Sequence, residues 1–298
     1  MSILIKRYND YDKLQLQKLL SVCKDGEDLI NIVKSPACQF TYIACIENEL
    51  VGVAVGWEST FHPYCMYFRI VSHPLYEKDG VNEALLKKIE SLEHVNKPLQ
   101  TSIWNHAEKL NDLYERAGFE LIRKTYLPTL VVSSVESNKY ITRKDDFVLQ
   151  TLAEIRKDEV LTKQLTELVR SNYEASHRGN PVVTAPLEKW KKLIFADDTI
   201  VEGSYLYVDQ VKKKIIAYSF LHESDEANTY ELGWCGCAND ALKKWLPQLV
   251  QEQVNYAQQK GIQMINGEFD TTDDYAMEVL KSFPFSFDST WMTYRKCR

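Results

Sequence analysis

Hydrophobic and polar positions switch between helical and strand-like spacing along this chain, and the same succession occurs twice. Near the start of the first half Asp10 or Asp12 precedes Leu14, Leu19, Leu20 and Val22; in the second, Asp158 precedes Leu161, Leu165, Leu168 and Val169. An acidic residue ahead of apolar positions at helical spacing predicts a capped helix. Each half continues with β-rich runs flanking a polar turn, Tyr42 to Trp57 turning at Glu47-Asn48-Glu49, and Tyr205 to Phe220 turning near Asp209. Both read as hairpins. A further strand follows, Met66 to Ser72 and Tyr230 to Cys235. A long helix comes next, with Val81, Leu85, Ile89 and Leu92 on one face in the first half. Leu246, Leu249, Val250, Val254 and Ala257 do the same in the second, and Gly261 supplies the stop. A strand (Leu99 to Trp104; Ile262 to Asn266), a helix (Ala107 to Ala117; Thr272 to Lys281) and a last strand complete each half.

The two successions keep a nearly constant offset. Tyr42 and Tyr205, and Leu86 and Leu249, are each 163 positions apart, and Phe119 and Phe285 are 166 apart. Different elements sharing one offset point to an internal duplication. The polar stretch SSVESNKYITRKDD is short of large apolar residues and reads as the boundary. The expected division is a first domain over 1–135, a linker over 136–145 and a second domain over 146–298.

Composition supports two cores. The 298 residues are 45% hydrophobic and 26% charged, which suits two domains of ordinary size. The formal net charge of −6 lacks the basic face that nucleic acid requires. It suits a cationic small acceptor better. The first residues show no apolar core of signal-peptide length, and no run of 18 apolar residues spans a membrane. Seven cysteines at scattered positions do not form a disulfide framework. Together these predict a cytoplasmic protein with no nucleic-acid or membrane partner. Cys235-x-Cys237 falls short of a zinc site and reads as buried strand cysteines, so no metal is expected.

The chemistry concentrates between Val71 and Phe119. VSHPLYEKDGVNEALLKKIE joins a strand to a helix through a polar loop. A helix N-terminus offers unpaired N–H groups and a positive dipole end, a natural place for a pyrophosphate. Val71 and Pro74 at the strand end, the six residues Glu77 to Asn82 with Gly80 among them, and Leu85-Leu86 after them resemble the cofactor loop of the GNAT acetyltransferases. LNDLYERAGFELI, Leu110 to Ile122, is similar to that family's Leu-Tyr-x-x-x-Gly-Phe signature. Glu77 stands where the family usually has a basic or amide residue, and Asn82 replaces its closing small residue.

The resemblance implies an α+β fold of two GNAT-like domains, each a mixed, mostly antiparallel twisted sheet flanked by helices. It implies transfer of an acetyl group from acetyl-CoA, as cosubstrate, to a primary amine of a small molecule or peptide. It also implies a set of roles. Backbone groups of Ile70, Val71 and Ser72 would pair with the pantetheine, and Lys78, Asp79, Gly80, Val81 and Asn82 would form the pyrophosphate loop. Asn105 would lie at the end of the next strand. Tyr114 would stand near the sulfur and protonate the leaving thiolate, and Glu58, at the hairpin strand end, would be the base. The second half departs further from the motif. Its counterpart loop, Gly236 to Lys244, has no glycine where phosphate approaches most closely, and Phe283-Pro284-Phe285 replaces Gly-Phe. That half is read as non-catalytic. Two alternatives stand beside this reading: a catalytically inactive GNAT-like binding protein, and cofactor binding by the second half through Lys243 and Lys244.

Overall fold

The computed structural model describes residues 2–23, 28–136, 147–286 and 289–297. The elements of the first part of the chain are β1 (Leu4–Arg7), α1 (Lys13–Val22), α2 (Leu29–Lys34), β2 (Cys38–Ile46), β3 (Glu49–Glu58), β4 (Met66–Ser72), α3 (Val81–Glu90), β5 (Leu99–Trp104), α4 (Glu108–Arg116) and β6 (Glu120–Tyr126). They are followed by β7 (Thr129–Val131), β8 (Val148–Thr151), α5 (Leu152–Ile155), α6 (Glu159–Ser176), α7 (Leu187–Ile194), β9 (Tyr205–Asp209), β10 (Lys214–Glu223) and β11 (Thr229–Cys237). The last are α8 (Leu246–Gln259), β12 (Met264–Gly267), β13 (Phe269–Asp270), α9 (Asp274–Ser282) and β14 (Thr290–Lys296). The fold is therefore α+β, as the pattern predicts.

Two compact units form. The first comprises 1–122, 179–183 and 292–298; the second comprises 123–178 and 184–291. The expected linker, 136–145, lies outside the described residues except for Glu136.

In the first unit the strands run β1-β2-β3-β4-β5-β14-β6. Alternation along the strands sends Phe40, Ala54, Phe68 and Ile70 to one face with Leu85 and Ile89 of α3 and Tyr114 of α4. Val53, Val55 and Val71 go to the other face with Leu16, Leu19 and Leu20 of α1. The buried stripe of α1 is thus Leu16, Leu19, Leu20, and the predicted Leu14 and Val22 are exposed. The start of α1 also differs from expectation. Asn9 caps the 3₁₀ turn Asp10–Asp12 that leads into it, and Asp12 accepts from the Asn9 N–H instead of capping α1. The β2–β3 hairpin closes through Glu47 and Asn48, both at positive φ (50° and 68°). That is the two-residue turn whose twist matches the strands.

The second unit's sheet runs β7-β12-β11-β10-β9-β8. Leu206, Val208, Ile215, Tyr218 and Phe220 face α5, α6 and α7, while Leu246, Leu249, Val250, Val254 and Ala257 of α8 cover the other side. Asp158 caps α6 as predicted, accepting from the N–H groups of Val160 and Leu161 at 2.9 and 3.0 Å. Replacing it with alanine orphans two donors and is expected to cost about 1 kcal/mol, read as a lower midpoint in urea denaturation. Gly261, at φ +76°, ends α8. The strand expected over Ile262 to Asn266 forms over Met264–Gly267, and the turn expected near Asp209 occupies the residues between Asp209 and Lys214. The helices α2 and α7 and the strand β7 are additional to the predicted elements. No helix among the described residues is long and apolar enough to cross a membrane.

Candidate active site

In the first unit β4 is paired along its whole length on one side, from Glu58↔Met66 to Gly52↔Ser72. On the other side it holds the parallel strand β5 only at Met66↔Leu99 and Tyr67↔Gln100. Beyond that point the two strands part. The Met66 N–H donates to the Pro98 carbonyl at 2.8 Å. By strand alternation the Phe68 carbonyl and the peptide groups of Ile70 then turn to the same, open edge. A strand edge with free N–H and C=O groups is a template for an extended amide-bearing chain. Of the residues predicted for this edge, Ile70 and Val71 are buried strand residues, and Ser72 closes the ladder opposite Gly52.

Gly52 also sets the helix that follows. A Cβ there would stand 2.6 Å from Val81 Cγ1 and 3.1 Å from Leu85 Cδ1. Its absence lets the first turn of α3 lie against the sheet beside the end of β4. Gly80 is the residue before α3, in the left-handed region at φ +76°, with nothing within 4 Å of where a Cβ would stand. Glycine adopts that φ without the cost other residues meet. Ala84 is the first residue of the turn to donate back, to Gly80 O at 3.0 Å. The N–H groups of Val81, Asn82 and Glu83 therefore begin the helix without intrahelical partners. Asn82 is buried, and its Oδ1 meets no hydrogen-bond partner among the described residues. Lys78 and Asp79 lie in the turn before Gly80, where the Asp79 N–H donates to Tyr76 O. The misfit acid of this loop is neutralised, since Glu77 pairs with Lys109 of α4 at 2.5 Å.

Tyr114 is wholly buried. Its ring stands edge-on to Phe68 at 5.7 Å and contacts Phe119 and Tyr294 at 5.4 and 6.0 Å. Among the described residues its hydroxyl meets no partner in bonding geometry, although the Thr101 hydroxyl lies towards it, and Gln100 Oε1 and Thr101 Oγ1 on β5 meet none either, just where the strands part. Burial pushes the Tyr114 phenol well above its ordinary range, with Thr101 and Arg69 pulling weakly the other way. It stays protonated at neutral pH. Gly118, at φ +80°, ends α4, and Phe119 packs inward as predicted. Glu58 sits at the closed end of the splay, opposite Met66, with its carboxylate 2.8 Å from Lys97. Asn105 is exposed after β5, and its carbonyl accepts from Asn111 Nδ2.

Three contributors to this unit carry no signal in the sequence. Gln100 and Thr101 read as ordinary strand residues. Asn180, far along the chain, donates to the Tyr67 hydroxyl, while its carbonyl is 2.8 Å from His62 Nδ1. The strand β14 brings Thr293 to within 3.0 Å of Ser102 and Lys296 to the Ala117 carbonyl at the end of α4.

The second unit repeats the parting of strands. β11 pairs with the parallel β12 from Thr229↔Met264 to Leu232↔Gly267, and Gly233 to Cys237 lie beyond the last pair. Its strand-to-helix connection is built otherwise. Asn239 caps a 3₁₀ turn over Asp240–Trp245, and α8 begins with Leu246-Pro247. Lys243 is engaged by Asp240 at 3.7 Å and Asp274 at 3.4 Å, over the ring of Tyr275. Lys244 is exposed. Cys235 and Cys237 are buried thiols whose pKa values burial pushes up, that of Cys237 to about 12.

A parallel strand pair that parts occurs in each unit, and solved proteins share the fold over nearly the whole chain. A GCN5-related N-acetyltransferase from Sphaerobacter thermophilus superposes with a TM-score of 0.63 at 12% identity, covering 99% of this chain and 95% of that one. A tandem GNAT protein from the clavulanic acid biosynthesis pathway matches with a TM-score of 0.56 at 11% identity, over 99% and 98% of the two chains. The chain has the tandem GNAT fold. A conserved protein from Enterococcus faecalis V583, described as a probable N-acyltransferase, shares the GNAT fold with a TM-score of 0.53 at 11% identity, over 100% of this chain and 72% of its own. No family model and no curated protein matches the sequence.

Proposed function

We propose that the chain is an acyl-CoA-dependent N-acyltransferase whose reaction takes place in the first unit, with acetyl-CoA as cosubstrate and a primary amine as acceptor. The observation that carries the reading is the alignment, in one unit, of an open β4 edge, the free N–H groups of Val81 to Glu83 at the end of that edge, and an unpartnered phenol beneath its start. The cradle at the start of α3 and the orphaned polar atoms fit such a cosubstrate. The open space at Gly80 leaves room for phosphate oxygens against the N–H groups. A buried hydroxyl without a partner costs about 1–3 kcal/mol. A ligand sulfur beside Tyr114 would relieve that cost.

When bound, the thioester supplies an activated acyl carbon. The chain's own residues do the rest. The Phe68 carbonyl and the peptide groups of Ile70 hold the amide arm in register, and Gly80 to Asn82 hold the pyrophosphate. Glu58, at the closed end of the splay, takes a proton from the acceptor amine once that amine displaces Lys97. As the new C–N bond forms and the C–S bond breaks, Tyr114 gives its proton to the departing sulfur.

Calorimetric titration with acetyl-CoA tests the cofactor assignment, and saturation at one site per chain is the expected result. Absence of binding at millimolar concentration would remove the first unit as a cofactor site. It would leave a GNAT-like binding protein in its place.

A further inference from the structure

The second unit's parted strands hold a pocket of a different character from the first unit's. Gly233, Trp234 and Cys235 of β11 line one side of a pocket of about 230 Å³, together with Asn172 and Tyr173 of α6 and His177 just after it. Glu268, Asp270 and Asp273 supply acidic groups to the same pocket. A second pocket of about 460 Å³ shares Leu232 and Glu268 with it and carries Glu226 and Glu231. Five carboxylates therefore line two adjoining pockets that meet at Leu232 and Glu268.

Their internal partners are mostly neutral. Asp270 is held by Arg123 at 3.0 Å and by the Thr125 hydroxyl. Glu226 accepts from Asn266 Nδ2 at 3.2 Å, Glu231 from the Ser224 hydroxyl at 2.8 Å, and Asp273 from the first N–H groups of α9. Glu268, where the two pockets meet, has neither a hydrogen bond nor an ion pair among the described residues. Glu268 is itself exposed; partial desolvation by its neighbours and the charge of Asp270 push its carboxyl upward, with Arg123 opposing. One arginine thus faces five carboxylates.

Two further observations point to an organic cation. The Tyr173 and His177 rings stack at 3.9 Å, and the Trp234 ring lies 5.1 Å from Tyr173, so aromatic faces border the acidic pockets. Ring faces attract ammonium groups. Tyr218, 1% exposed, also lines the pocket; it accepts from Asn172 Nδ2 at 3.3 Å, and its own O–H meets no acceptor among the described residues. A ligand nitrogen or oxygen would satisfy that buried donor. Gly236 keeps the arrangement possible, because a Cβ there would stand 2.4 Å from Asn172 Nδ2 and 2.8 Å from the Tyr218 oxygen. The same pockets would repel phosphates, and the start of α8 lacks the glycine cradle of α3.

We infer that the second unit binds an aliphatic amine carrying two or more ammonium groups, laid across the two pockets with Glu268 between its charges and one end against Trp234 and Tyr173. This inference does not depend on acyl transfer in the first unit. The test is calorimetric titration of the full chain with spermidine, in the wild type and in Glu268→Gln, Trp234→Ala, Gly80→Glu and the charge control Glu93→Gln. The expected result is one saturable site that weakens as salt rises. Binding should fall about tenfold in Glu268→Gln and Trp234→Ala and stay unchanged in the other two. A neutral diol of the same length should not bind. No saturable spermidine binding, equal binding of the diol, or equal losses in Glu93→Gln and Glu268→Gln would overturn the inference.

Discussion

Tyr114→Phe is expected to abolish most of the turnover while making the protein harder to unfold. The side chain is wholly buried among Phe68, Phe119 and Tyr294, and phenylalanine fills the same space. The hydroxyl that is removed meets no partner in bonding geometry among the described residues, so its loss relieves a desolvation cost of about 1–3 kcal/mol and should raise the melting temperature by several degrees. If the phenol protonates the departing thiolate, turnover falls by about 10²- to 10⁴-fold while acetyl-CoA affinity changes little. The pH dependence separates the two effects. Burial raises the phenol above its ordinary value of 10.0. Its stabilising share is therefore complete below pH 10 and is lost as pH rises further. Stability of the phenylalanine variant should fall less steeply than wild type above that point. A rate equal to wild type would remove Tyr114 as the acid, whatever the stability shows.

Gly80→Glu should weaken acetyl-CoA about 100-fold with little effect on folding. No atom lies within 4 Å of where the new Cβ would stand, so the substitution meets no clash. Its conformational cost is that of holding a non-glycine residue at φ +76°, about 1–2 kcal/mol. A carboxylate at a helix N-terminus partly offsets this. The same carboxylate lies where the N–H groups of Val81 to Glu83 would meet a pyrophosphate. At about 5 Å and an effective dielectric of about 20, repulsion between unit charges is ~3 kcal/mol. Gly80→Ala carries the strain without the charge and separates the two contributions. Equal cofactor affinity in Gly80→Glu and wild type, measured by calorimetry, would place the pyrophosphate elsewhere.

The acid of the cofactor loop shows how far a linear reading reaches. Glu77 stands where a positive or neutral residue would favour phosphate, and by itself argues against a cofactor. The structure pairs it with Lys109, 32 positions later and on the neighbouring helix. The lysine pair of the second half shows the reverse case. Lys243 looks available beside a helix start, yet Asp240 and Asp274 hold it. Ionic partners are chosen across elements, and spacing along the chain does not disclose them.

Local chemistry alone determined the strands Met66–Ser72 and Leu99–Trp104, the Asp158 cap, the glycine stops at Gly118 and Gly261, and the buried stripe of α8. Periodicity, caps and turn residues act over a few positions, so they are written in consecutive residues. The buried stripe of α1 slipped because Leu14 and Leu16 fit helical spacing equally well, and only the sheet beneath chooses between them. Tertiary structure alone decided that β14 enters the first unit's sheet, that Asn180 reaches Tyr67, and that Tyr114, Gln100 and Thr101 keep unpartnered polar atoms where β4 and β5 part. It also decided that the second unit's carboxylates gather around two adjoining pockets. Strand pairing, burial and charge balance depend on groups brought together from distant positions, and no local pattern along the chain encodes which of them will meet.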